Sequence, residues 1–100
     1  MMSAMAGAIT ADSTVRISPR VYARAFGEEM VLLDFGLGEY FGLDPVGADV
    51  WRGLEAGEPV SQIVDGIVAR YDVTREAALA DVLSLLAELR DSSLIETITP

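Results

Sequence analysis

The chain changes its periodicity at Asp44-Pro45, and that change limits the folds open to it more than any other feature. Before this point, short apolar runs alternate with glycine-bearing turns. After it, apolar residues recur every three or four positions in three successive runs. Residues 20–26 place Arg20, Tyr22, Arg24 and Phe26 on one face of a strand and Val21, Ala23 and Ala25 on the other. Gly27 and Glu28 turn the chain. Residues 29–35 put Met30 and Leu32 on one face and Val31, Leu33 and Phe35 opposite, so this strand is expected to be the best covered. The turn at 36–38 has two glycines free to take positive φ, and residues 39–43 form a third strand.

The helical half is punctuated just as clearly. Asp44 is an N-cap and Pro45 sits at the first helical position, where its missing N–H leaves no bond unmade. Val46, Val50, Trp51 and Leu54 follow at helical spacing, and Gly57 ends the run. Pro59 opens a second helix with a stripe of Val60, Ile63, Val64, Ile67, Val68 and Tyr71. Thr74 caps a third, in which Glu76 and Arg90 complement the helix dipole at opposite ends. Short connections favour pairing of consecutive strands. The expected fold is therefore α+β: a three-stranded antiparallel β-meander followed by three helices, winged-helix-like in shape, over residues 14–96. Residues 1–13, small and uncharged up to Asp12, read as a disordered or weakly held tail.

Composition removes whole classes of chemistry. With neither cysteine nor histidine, disulfides, thiolate nucleophiles, the commonest general base and ordinary zinc sites are all excluded. Sixteen acids against seven arginines leave a formal charge of −9, which speaks against nucleic acid and suits a basic peptide better. Asp34, Glu39 and Asp44 flank the hairpin as solubilising acids, with no nucleophile or oxyanion hole beside them. The glycines of "GLGEYFG" do not lead into a helix as a phosphate cradle requires, and EF-hand spacing is absent. No enzyme activity, cofactor or metal is expected. There is neither a secretory signal nor an apolar run of membrane-spanning length, so a cytoplasmic location is expected.

Two features point to binding. In a 1-2-3 meander the third strand is an edge, with a row of unpaired backbone groups that proteins usually hide. The third helix also has more apolar circumference than one neighbour needs. Leu79, Leu83 and Leu86 mark the centre of its face, with Ala78, Val82, Leu85 and Leu89 on one flank and Ala80 and Ala87 on the other. Such a helix either lies deep in a three-helix core or keeps a flank for a later arrival. A winged-helix DNA-binding role fails on charge, since this helix sets Arg75 and Arg90 against Glu76, Asp81, Glu88 and Asp91. Self-pairing of the edge into a dimer remains open.

In this order and spacing, "VLLDFGLGEYFGLDPVGADVW", "VSQIVDGIVARYDV" and "ALADVLSLLAELRDSSLI" resemble the PqqD-like family of leader-recognition proteins for ribosomally made, modified peptides. The resemblance implies β-augmentation: a precursor's leader adds a strand to the third strand, in a groove closed by the third helix. On this chain it assigns Glu39, Tyr40, Phe41, Gly42 and Leu43 to the pairing strand, and Ala78, Val82, Leu85 and Leu89 to the helix wall. On the binding reading, Val82→Glu or Leu85→Glu is expected to abolish peptide binding while leaving the fold largely intact; if that flank is core, both are expected to hurt folding as much as binding. The aromatic hairpin is most similar to the stand-alone leader-binding protein of lasso-peptide biosynthesis, which works beside a leader peptidase and an ATP-dependent cyclase. The protein of pyrroloquinoline quinone biosynthesis is the alternative. Ser93 stands where the family commonly has glycine before Leu-Ile, and Asp44 where asparagine is frequent.

Overall fold

The computed structural model describes residues 9–98. The strands are β1 (Thr14–Ile17), β2 (Val21–Phe26), β3 (Glu29–Asp34), β4 (Glu39–Leu43) and β5 (Ile95–Ile98). Between the last two lie α1 (Pro45–Glu55), α2 (Val60–Arg70) and α3 (Arg75–Asp91). The expected meander is present as an antiparallel sheet in the order β2-β3-β4, with Leu32 opposite both Ala23 and Phe41. The fold is α+β, as expected from the change of period. None of the helices in the described residues is long and apolar enough to cross a membrane.

The chain's two ends depart from expectation. β1 pairs antiparallel with β5, from Thr14 opposite Ile98 to Ile17 opposite Ile95, making a second, two-stranded sheet. Val15 and Ile95 turn inward from it and join the core. The tail assigned to residues 1–13 lies partly outside the described residues, at 1–8. Residues 9–13 are held: Ser13 and Ala11 carbonyls accept from the N–H groups of Val60 and Ser61 at 3.0 and 2.9 Å. Pro59, at the N-cap of α2, makes no side-chain capping bond. The incoming segment therefore satisfies orphan donors of that helix.

The meander has one covered face. Met30, Leu32 and Asp34 of β3 are buried, whereas Val31 and Leu33 on the outer face are half-buried. Phe35 does not continue the strand. It lies exposed in the turn, its ring 6.3 Å from that of Tyr22. Of the two turn glycines only Gly38 takes positive φ, at 70°. Gly36 instead lets Arg20 pass, since a Cβ there would meet Arg20 Cδ at 2.4 Å.

Asp34 is more than a solubilising acid. Its Oδ1 accepts from the Gly36 and Leu37 N–H groups at 2.8 and 3.2 Å, closing the hairpin. Arg20 donates to both carboxylate oxygens, at 3.1 and 3.3 Å, and to the Ser93 carbonyl at 3.0 Å. One guanidinium thus ties the meander to the end of α3. These Arg20 bonds hold the Asp34 carboxyl below its ordinary pKa, against the opposing effect of burial, with the Leu37 and Gly36 N–H groups assisting.

The helices begin where expected. Asp44 Oδ1 accepts from Gly47 N at 2.8 Å, and Thr74 Oγ1 accepts from Ala77 N at 3.1 Å. Val50, Trp51 and Leu54 of α1 pack with Val60, Ile63, Val64 and Ile67 of α2 in the core. α3 is rotated relative to its expected orientation. Its buried residues are Ala78, Val82, Leu86 and Leu89, while Leu79, Leu83 and Leu85 are half-buried. The flank read as surplus is mostly core, because α3 packs chiefly on α2, β5 and α1.

Candidate functional site

β4 pairs only with β3 among the described residues, so one side of its backbone is open. Alternation divides its side chains between the two faces. Phe41 and Leu43 turn toward the core, whereas Tyr40, opposite Leu33, projects from the outer face and is 79% exposed. Gly42 shares that outer face. A Cβ built on it would meet nothing within 4 Å, so the chain's own packing does not require glycine there.

Beside this open edge lies a cavity of about 460 Å³. Phe41, Gly42 and Leu43 of β4 form one side, and Ala78, Val82 and Leu85 of α3 form the other. Val46 and Val50 of α1, Ile67 and Tyr71 at the end of α2, and Val73 just beyond it complete the apolar lining. The charged residues around it are Asp44, Asp81 and Glu88. The structure therefore brings together six of the nine expected site residues. Glu39 and Tyr40 instead line a much smaller depression of about 30 Å³ at the strand's start, beside Ser92 and Leu94. Leu89 is fully buried in the core and does not line the groove.

Burial also revises the expected variants. Val82 is only 2% exposed, so a carboxylate there would have to be desolvated among core residues. Val82→Glu is therefore expected to hurt folding as much as binding, the outcome that goes with a core position. Leu85 is half-buried and lines the groove, so it can report on binding.

Sequence reasoning missed the groove's floor and its acidic rim. Val46, Val50 and Ile67 belong to ordinary core stripes, and nothing local distinguishes a core residue with an open neighbour. Asp81 and Glu88 were visible as polar positions on α3, but their place beside an apolar groove depends on how the helix is rotated. Tyr71 is held by its polar end: its hydroxyl donates to Asp49 Oδ2 at 2.6 Å. Arg52 and Arg70 lie 3.1 and 3.0 Å from Asp49 Oδ1. The bond to Asp49 raises the phenol pKa, and burial adds to the rise. This anchor leaves the ring as a fixed wall of the cavity. Among the described residues, no three His, Cys, Asp or Glu side chains are grouped to hold a metal ion.

Known proteins place this geometry in a family. Two solved structures are similar over 85% of the chain. TbiB1 in complex with the TbiA(beta) leader peptide is 38% identical with a TM-score of 0.79, and 99% of that chain is covered. Lasso peptide synthetase B1 complexed with the leader peptide is 25% identical with a TM-score of 0.74, and 98% of it is covered. No curated protein matches the chain. Residues 29–95, from the central strand of the meander to the first residue of β5, match the family described as Coenzyme PQQ synthesis protein D (PqqD), and the chain belongs to that family.

Proposed function

We propose that this chain is a non-catalytic leader-peptide-binding chaperone of lasso-peptide biosynthesis. It captures the leader segment of a ribosomally made precursor as a strand added to β4 and delivers it to a leader peptidase, in a system that also includes an ATP-dependent cyclase. The observation that carries this reading is the apolar groove between the unpaired edge of β4 and α3. Backbone hydrogen bonds to such an edge supply affinity independent of side chains, and a flanking pocket supplies selectivity. Both similar structures are leader-peptide complexes, which supports the choice of guest.

The test is fluorescence anisotropy of a labelled synthetic leader, taken from the precursor encoded beside this chain. Saturable binding at micromolar concentration or tighter is expected, weakened at least tenfold by Leu85→Glu while the helical circular dichroism is retained. No binding by the wild-type chain, together with a dimer by light scattering, would mean that the edge pairs with its own copy.

A further inference from the structure

The groove's charge is as one-sided as its walls are apolar. Its charged lining residues are Asp44, Asp81 and Glu88. A second depression, of about 400 Å³, meets the groove at Gly42 and Leu43, and its charged residues are Glu29 and Asp44. No arginine lines either one. The arginines are engaged elsewhere: Arg16 with Glu96, Arg20 with Asp34, Arg52 and Arg70 with Asp49, and Arg75 with Asp65. Arg90 lies 3.8 Å from Asp91, and Arg24 stands on the outer sheet face, in register with Val31. Asp44 is occupied in capping α1. Asp81 and Glu88 are exposed and make no ion pair among the described residues.

We infer that the guest strand is cationic, with lysine or arginine flanking its apolar anchor, and that Asp81 and Glu88 select it. This rests on reading the groove as the peptide site. Two positions seven residues apart on a helix are separated by about 10 Å along its axis. An extended guest rises about 3.3 Å per residue, so its cations fall two to four residues apart. Rim charges of this kind act through encounter rate and selectivity, and salt screens them. Each contact changes affinity about two- to fivefold.

The test uses the full chain and two labelled peptides: the leader described above, and a copy with every Lys and Arg replaced by Gln. At 50 mM salt the substituted peptide should bind about fivefold or more weakly, with the difference largely gone at 1 M. The double variant Asp81→Asn/Glu88→Gln should lose the preference. Asp12→Asn, an acid outside the groove, should keep it. Equal binding of the two peptides at low salt, a leader lacking cations, or a preference that survives in the double variant would overturn the inference while leaving the peptide site standing. If neither peptide binds at any salt, the peptide-site reading fails and this inference fails with it.

Discussion

The C-terminal end of α3 allows a stability change to be worked out from backbone geometry. Ser92 is the C-cap, and Ser93 follows with φ 63°, the only non-glycine residue at positive φ among those described. The Ser93 N–H donates to the Arg90 carbonyl and the Leu94 N–H to the Leu89 carbonyl, each at 2.9 Å. These are the two bonds of a Schellman motif, whose left-handed position glycine usually fills. An L-residue in that conformation costs about 1–2 kcal/mol. Glycine removes this cost but loses about 0.5–1 kcal/mol more conformational entropy on folding. The Ser93 hydroxyl has no hydrogen-bond partner among the described residues, so its loss removes no native contact. Ser93→Gly should therefore stabilise the chain by about 0.5–1 kcal/mol, raising Tm by a few degrees in a domain of this size. Ser93→Val should destabilise it, because β-branching aggravates the clash. Urea titration followed by circular dichroism, with thermal melts, measures both. A Ser93→Gly chain less stable than wild type, at unchanged m-value, would refute the reasoning.

Two further perturbations probe what holds the groove's frame together. Because the Arg20 hydrogen bonds hold the folded Asp34 carboxyl below its ordinary value of 3.8, its stabilising contribution is fully present above that pH and is lost as pH falls through the lower folded value. The stability difference between wild type and Asp34→Asn should shrink as urea midpoints are followed from pH 6 down to pH 2.5; a constant difference would exclude the Arg20–Asp34 pair as its source. At Gly53 a Cβ would meet Ile63 Cγ1 at 2.7 Å, which pins α1 against α2. Gly53→Ala should cost about 1–2 kcal/mol despite the better helix propensity of alanine, and an unchanged urea midpoint would show that Ile63 moves aside freely.

Local chemistry made the helix starts and the edge strand legible. Asp44 and Thr74 act through atoms three residues away, and the run from Glu39 to Leu43 has the bounds expected of it. What stayed hidden depends on distant partners. Arg16 and Glu96 bridge the β1–β5 sheet from 80 positions apart, and a four-residue strand such as "TVRI" carries no signal strong enough to predict its partner. Asp34 was indistinguishable from a surface acid until Arg20 was seen beside it. The rotation of α3 is the same problem at larger scale: periodicity shows that one side is apolar, not which neighbour it meets.

These distant contacts also explain why there is a groove to read. α3 is restrained at both ends. Thr74 caps its start, where Arg75 pairs with Asp65 of α2, and the Schellman turn feeds its end into β5. β5 is in turn fixed by β1, and Arg20 bonds the Ser93 carbonyl to the meander's hairpin. Its deepest residues, Val82, Leu86 and Leu89, are committed to the core. Leu85, between them in sequence, is left half-buried in the groove opposite β4. Apart from the Thr74 cap, the contacts that hold α3 in place here are ones that sequence reasoning could not find. The open site follows from the clamp around it as much as from the residues that line it.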